Sequence, residues 1–159
     1  MTGTPIGLAQ SDGGTALAAA SWSVTLLGLG SGIVSVSPAI DNTVATIGGA
    51  AYEIADLLIN LGASTALGTT GNPSISAVVL ASLDGTNYMS AYAAGTQLYP
   101  LADQRMWSAA PSTSAQFIIV PNLQLRSTSL RIAIINNLGV ALPASGVTAT
   151  LFRFREQAG

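Results

Sequence analysis

Short apolar runs, separated by clusters of Gly, Pro, Asn, Asp and Ser, follow one another along the whole chain. Val, Ile and Thr are frequent in these runs, and β-branched side chains suit the pleated surface of a sheet. The breaks fall where turns between antiparallel strands are expected. The pattern predicts eight strands, over residues 22–29, 33–37, 44–47, 52–61, 74–82, 116–120, 130–136 and 147–154.

Eight short strands with such spacing are typical of an antiparallel β-sandwich of the jelly-roll or immunoglobulin-like kind, so the predicted fold class is all-β. Residues 21–159 are expected to form one domain, preceded by an extended N-terminal arm over residues 1–20. Two stretches allow a helical alternative. Residues 14–20 are rich in Ala, and residues 52–61 contain apolar positions at helical spacing, although alternation and flanking glycines favour a strand there.

Several predicted strands are apolar on both faces. In residues 130–136, Leu130, Ile132 and Ile134 share one face, while Ala133 and Ile135 lie on the other. Residues 22–29 and 74–82 follow the same pattern. A sheet with one solvated face should show polar residues there. Because a sandwich has one core between its sheets, the second apolar face is expected to contact other subunits.

Charged side chains are scarce, with 5 basic and 7 acidic residues among 159, whereas 49% of the residues are hydrophobic. Soluble monomers carry about a quarter of their residues as charged ones. All acidic residues except Glu156 precede position 104. All basic residues are arginines, and they all follow position 104. A surface so poor in charge indicates either a membrane protein or one covered by further protein copies.

The sequence argues against several classes of function. Uncharged stretches such as residues 13–40 are interrupted by Gly, Ser and Pro, which disfavours a membrane-spanning helix, and no basic region opens the chain as in a signal peptide. Five arginines without lysine are too few for a nucleic-acid-binding surface. Without His or Lys the usual side-chain activators of a nucleophile are absent, and without Cys there is no thiol nucleophile, so a non-enzymatic protein is expected.

The segment SLDGTNY at residues 82–88 is the most specific local signal. It predicts a tight hairpin in which Asp84 caps its own turn and Gly85 adopts a positive φ. A calcium site at Asp84 and Asn87 is conceivable, but calcium requires six to eight oxygen ligands and the region is poor in acids. Neither a metal nor a cofactor is therefore predicted. A carbohydrate-binding module would need aromatic side chains on an open face, and the candidates are Trp22, Trp107, Tyr88, Tyr92 and Tyr99.

This segment, preceded by the apolar residues 75–80, resembles one found in small virion proteins of tailed bacteriophages. Residues 130–154, LRIAIINNLGVALPASGVTATLFRF, resemble the closing hairpin of such proteins. The resemblance covers roughly a third of the chain. It implies a β-sandwich structural protein of the virion, located in the phage head and made in the host cytoplasm. The role implied first is that of a capsid cement (decoration) protein, which binds between major capsid subunits, and a tail, neck or fibre subunit is the alternative.

The partners expected on this interpretation are further copies of the chain, preferably as a trimer, and the major capsid protein or another virion protein. Ile6 and Leu8 are the apolar anchors of the N-terminal arm, whose residues 1–14 are expected to lie along a neighbouring subunit. Arg131, Arg153 and Arg155 lie in or beside the last two predicted strands, where paired arginines would repel one another unless carboxylates compensate. These five residues are the predicted interface, and at least one of Arg131 and Arg153 is expected to make a carboxylate or carbonyl contact across a subunit boundary.

Overall fold

The structure, a computed structural model, describes residues 10–44, 50–62, 73–88, 92–93, 96–97, 105–108, 115–125 and 127–155. Nearly all of its regular structure is β. In chain order the strands are β1 (Gln10–Ser11), β2 (Thr15–Leu17), β3 (Val34–Val36), β4 (Ile40–Asp41), β5 (Thr43–Val44), β6 (Ala50–Ala51), β7 (Ile54–Asn60), β8 (Ser74–Ser82), β9 (Tyr92–Ala93), β10 (Thr96–Gln97), β11 (Arg105–Ser108), β12 (Phe117–Gln124), β13 (Ser129–Asn137) and β14 (Thr148–Arg155). One 3-10 turn spans Ala19–Ser21.

Two antiparallel five-stranded sheets form the sandwich, as predicted. The first sheet has the order β1-β14-β7-β12, and β2 also pairs with β14. The second has the order β11-β8-β13-β3, and β4 also pairs with β13. Two short ribbons, β5 with β6 and β9 with β10, lie outside these sheets.

The core lies between the sheets because each long strand turns alternate apolar side chains inward. Leu57 and Ile59 of β7 and Leu151 of β14 meet Ile132 and Ile134 of β13, all at most 1% exposed. The strand predicted over residues 52–61 is thereby confirmed, and its helical alternative is wrong. The strands predicted near residues 74–82, 130–136 and 147–154 are confirmed as well.

Residues 22–29 do not form the predicted strand. They run through bends and turns after the 3-10 turn, with Gly28 at a φ of +72°. Trp22, Leu26 and Leu29 are each buried at 5% exposure or less and fill one end of the core. The apolar pattern therefore indicated correctly that these side chains are buried, but the segment does not pair with a sheet. Residues 14–20, the other stretch with a helical alternative, contain β2 and the start of the 3-10 turn.

The last two long strands do not form the expected closing hairpin. β13 pairs with β8 in the second sheet, whereas β14 pairs with β7 in the first. The connection over residues 138–147 crosses from one sheet to the other, and the gap between packed sheets is only about 10 Å. Arg131 and Arg153 therefore lie in different sheets, and the expected repulsion between paired strands does not arise.

The expected arm divides into two parts. Residues 1–9, including Ile6 and Leu8, lie outside the described residues. Residues 10–17 pair with β14 of their own chain, in the register Gln10 with Arg155 and Leu17 with Ala149. This part of the predicted arm thus belongs to the sandwich, because its backbone completes the edge of the first sheet.

In the second sheet, the second apolar face was expected to contact other subunits, but it is buried within the chain itself. Val78 and Leu80 of β8 join Ala133 and Ile135 of β13 in a separate buried cluster, against which Tyr88 packs. All four are at most 5% exposed within the single chain. The segments 74–82 and 130–136 therefore bury both faces without a second subunit.

Candidate interaction surface

The first sheet leaves an apolar face open to solvent. We call this the outer apolar face, and it consists of the residues that alternate with the buried ones in β7, β12 and β14. Their register places Ile119 beside Leu58 and Phe117 beside Asn60. Phe117 is 66% and Ile119 is 50% exposed. The apolar members of the face are the exposed Phe117 and Ile119 and the half-buried Ile54, Leu58, Phe152 and Phe154.

The turn between β8 and Tyr88 presents a second exposed apolar group, since Leu83 is 100% exposed. The turn itself forms as predicted. Asp84 Oδ1 accepts the backbone N–H of Thr86 at 2.9 Å and of Asn87 at 2.7 Å, and Gly85 has a φ of +73°. These hydrogen bonds from Asn87 and Thr86 hold the pKa of Asp84 well below its ordinary value. A rigid turn therefore carries an apolar side chain into solvent.

Tyr88 closes that turn and connects it to the second sheet. Its hydroxyl lies 2.8 Å from Ser129 Oγ, and the Arg131 guanidinium lies over its ring at 4.3 Å from the centroid. Such a cation–π contact contributes about 0.5–1 kcal/mol at an exposed site. Arg131, predicted at a subunit interface, thus lies half-buried on an aromatic ring of its own chain.

Arg153, the second predicted interface arginine, is buried within its own chain. Its Nε donates to Asp12 Oδ2 at 2.7 Å, its Nη2 donates to Thr15 Oγ1 at 3.1 Å, and its Nη1 donates to the Asp41 carbonyl. The Tyr52 ring covers the guanidinium at 4.8 Å. The carboxylate and carbonyl contacts expected for Arg153 are therefore present, but they come from the N-terminal part of the same chain.

The Asp12 carboxylate accepts four hydrogen bonds. Besides the Arg153 side chain, it accepts the backbone N–H of Arg153 at 3.0 Å and of Gly14 at 2.9 Å, and the hydroxyl of Thr15 at 3.0 Å. Burial raises the pKa of Asp12, but the hydrogen bonds from Arg153, Gly14 and Thr15 outweigh it and lower the pKa overall. The carboxylate therefore stays charged and fixes residues 10–17 to β14.

A cleft of about 290 Å³ opens beside this cluster. Small apolar residues such as Ala16, Pro38 and Ala39 line it, together with the edge of Arg153. Within the described residues, no three His, Cys, Asp or Glu side chains are grouped to hold a metal. No helix among these residues is long and apolar enough to cross a membrane.

Arg155, the third predicted arginine, lies half-buried at the end of β14 beside Gln10. The structure thus places the three predicted arginines apart. The exposed Phe117, Ile119 and Leu83 were not predicted as site residues. The strand predicted over residues 116–120 is apolar at successive positions, so no signal in the sequence separates the exposed Phe117 and Ile119 from the buried Ile118 and Val120.

Comparisons of the chain with protein-family models, with curated proteins and with solved structures find no match.

Proposed function

We propose that this chain is a non-enzymatic structural protein of a tailed-bacteriophage particle, with capsid cement as its first assignment. In that role it binds between major capsid subunits and stabilises the head. The observation that carries the proposal is the outer apolar face, in which Phe117 and Ile119 are at least half exposed. A chain with so few charges that leaves such a face in water is suited to permanent contact with protein.

The mechanism is burial of this face against a neighbour. Each 100 Å² of apolar surface removed from water stabilises the contact by about 2.5 kcal/mol. A Phe side chain offers roughly 200 Å², of which Phe117 keeps 66% exposed. Contacts of this size are modest singly, but a shell repeats them at every equivalent position.

Trp22 and Tyr88, the two aromatic candidates whose side chains the structure describes, do not line an open face, which favours this assignment over a carbohydrate-binding module. Trp22 is buried at 5% exposure, and Tyr88 is held under Arg131. The open face instead presents Phe117 and Phe152, whose rings lack the polar atom with which Tyr and Trp bind a sugar hydroxyl.

The direct test is mass spectrometry of density-purified particles from phage that encode the chain. The proposal expects the chain in the particle at a fixed ratio to the major capsid protein. Heads made without the chain should then bind the purified protein and release their DNA at a higher temperature. The variant Phe117→Ser should bind less well, whereas Thr148→Ala, a change on the same face, should bind as the wild type does. Absence of the chain from particles would overturn the proposal, and its presence only in tails would favour the tail, neck or fibre alternative.

A further inference from the structure

The first sheet ends in an edge strand whose two halves differ. Among the described residues β12 pairs with β7 alone, and β11 of the second sheet lies near it without pairing. The register of β12 shifts between Val120 and Leu123, where Pro121 lies and where Asn122 has a φ of +57°. The N–H of Asn122 donates to Asp56 Oδ1 at 3.0 Å, which fixes this bulge. Bulges and prolines are devices that prevent edge pairing. They protect residues 121–124, and residues 117–120 have neither.

The pairing of β12 with β7 shows which backbone groups of residues 117–120 point away from the sheet. The N–H of Leu61 donates to the Gln116 carbonyl at 2.9 Å, so residues 116, 118 and 120 turn their backbone groups toward β7. Phe117 and Ile119 therefore turn their N–H and C=O groups away from the sheet. Among the described residues, no strand pairs with β12 on that side.

Charge does not guard this edge. Residues 106–125 contain no charged side chain. A two-fold contact brings identical side chains close to one another, so charges on the strand would repel, and here there are none. The exposed side chains are instead an aromatic and a β-branched residue two positions apart on one face, a combination that pairs favourably across strands.

We propose that two copies of this chain pair through residues 117–120 of β12, antiparallel about a two-fold axis centred on Ile118. Phe117 of each copy then lies opposite Ile119 of the other, and the two residues exchange backbone hydrogen bonds. Centring on Phe117 would leave Ile119 opposite Ala115, and centring on Ile119 would bring Pro121, which has no N–H, into the ladder. The centre at Ile118 avoids both, and the two first sheets become continuous.

The size of the contact sets its strength. A ladder of four residues covers on the order of 300 Å² of each copy, against roughly 800 Å² per partner in a stable interface. The isolated dimer should therefore be weak, with a dissociation constant in the micromolar range or above. The pairing rests on the proposed structural role and adds self-association to it, but it is measured on the purified chain and can fail separately.

Cysteine pairing tests the register, since the chain has no cysteine of its own. In a mixture of Phe117→Cys and Ile119→Cys chains, the mixed dimer brings the two thiols opposite each other and keeps one native Phe–Ile pair. The mixture should form disulfide-linked dimers about tenfold faster than either variant alone, because only directly opposite residues have the Cα separation that a disulfide requires. Leu83→Cys, fully exposed but on the other sheet, gives the rate for random collision. A mixture no faster than this control would overturn the proposal.

A charge on the edge provides the second test. Ile119→Lys should weaken dimerisation measured by sedimentation equilibrium about tenfold, since lysine on an edge strand opposes pairing. Thr148→Lys is the matched control, because Thr148 is exposed on the same face but lies in β14, two strands from this edge. Circular dichroism should show both variants folded. Equal loss with the two variants would place the contact on the sheet face and overturn edge pairing. A trimer that survives Ile119→Lys would also refute it, while leaving the virion role to the particle test.

Discussion

Replacing Asp12 by Ala should destabilise the fold strongly, although Asp12 lies in the segment expected from sequence to be a detached arm. The side chains of Asp12 and Arg153 are 6% and 11% exposed. The substitution leaves the Arg153 guanidinium without its carboxylate and removes the acceptor for the backbone N–H groups of Arg153 and Gly14.

The magnitude follows from what Arg153 retains. Breaking a buried ion pair by removing one partner costs about 3–5 kcal/mol. Arg153 keeps the Asp41 carbonyl, the Thr15 hydroxyl and the Tyr52 ring, and the adjacent cleft can admit water. The lower end, about 3 kcal/mol, is therefore expected. For a chain of this length this corresponds to a fall in Tm of about 6–12 °C.

Urea denaturation followed by tryptophan fluorescence measures this loss, because Trp22 is buried and will change its surroundings on unfolding. Asp12→Asn is the matched control. It keeps an oxygen for the backbone N–H groups but lacks the charge, so it should lose about half as much as Asp12→Ala.

The pH dependence provides an independent check. The pKa of Asp12 is lowered in the folded chain, so its stabilisation is complete above the ordinary value of about 3.9 and is lost as the pH falls through the folded pKa. The difference in unfolding free energy between wild type and Asp12→Ala should therefore shrink as the pH falls below about 4. A loss below about 1 kcal/mol at pH 7, or a difference unchanged down to pH 2, would refute the reasoning.

Three further predictions concern the chain's turns and its N-terminus. Gly14→Ala should lower the free energy of unfolding in urea by about 1–3 kcal/mol, because its Cβ would lie 2.6 Å from Phe152 Cε1 and its φ is +94°. Gly13→Ala is the control and should lower it less, since a Cβ there meets no atom within 4 Å. Equal losses with the two variants would contradict this. Asp84→Ala should accelerate amide exchange at Thr86 and Asn87 and leave the core amides unchanged; unaltered exchange at those two amides would contradict this. Deleting residues 1–9 should lower Tm less than deleting residues 1–14, which also removes β1 and Asp12; equal effects in calorimetry would show that the pairing of β1 contributes nothing.

Sequence pattern predicted β7 and β14 because their side chains alternate about the core between the two sheets. In β7 and β14 every second residue is buried, and this period of two is visible without knowledge of the partners. The pattern failed over residues 22–29, where Trp22, Leu26 and Leu29 are buried from a chain that turns repeatedly. An apolar run indicates burial, and it indicates a strand only when a neighbouring strand is available to pair.

Contacts between residues far apart in the chain could not be predicted from the sequence. Asp12 and Arg153 are 141 positions apart, and no local pattern marks them as a pair. The closing hairpin was predicted from the proximity of two strands in sequence, but the connection over residues 138–147 is long enough to change sheets. The exposure of Phe117 and Ile119 could not be predicted from the sequence, because residues 117–120 are all apolar and only the packing of β12 shows which face lies against the core.

The scarcity of charge has a sharper meaning once the charged groups in the described part of the chain are located. Arg153 and Asp12 neutralise each other in the interior, Arg131 covers Tyr88, Asp84 holds its own turn, and Asp56 binds the bulge of β12. These groups maintain local structure, so they contribute little to keeping neighbouring copies apart. Asp56 is the only charged residue of the outer apolar face within β7, β12 and β14. Its carboxylate accepts the backbone N–H of Asn122. The outer apolar face is therefore poor in charge, as expected if contact with another protein at this face is the chain's task.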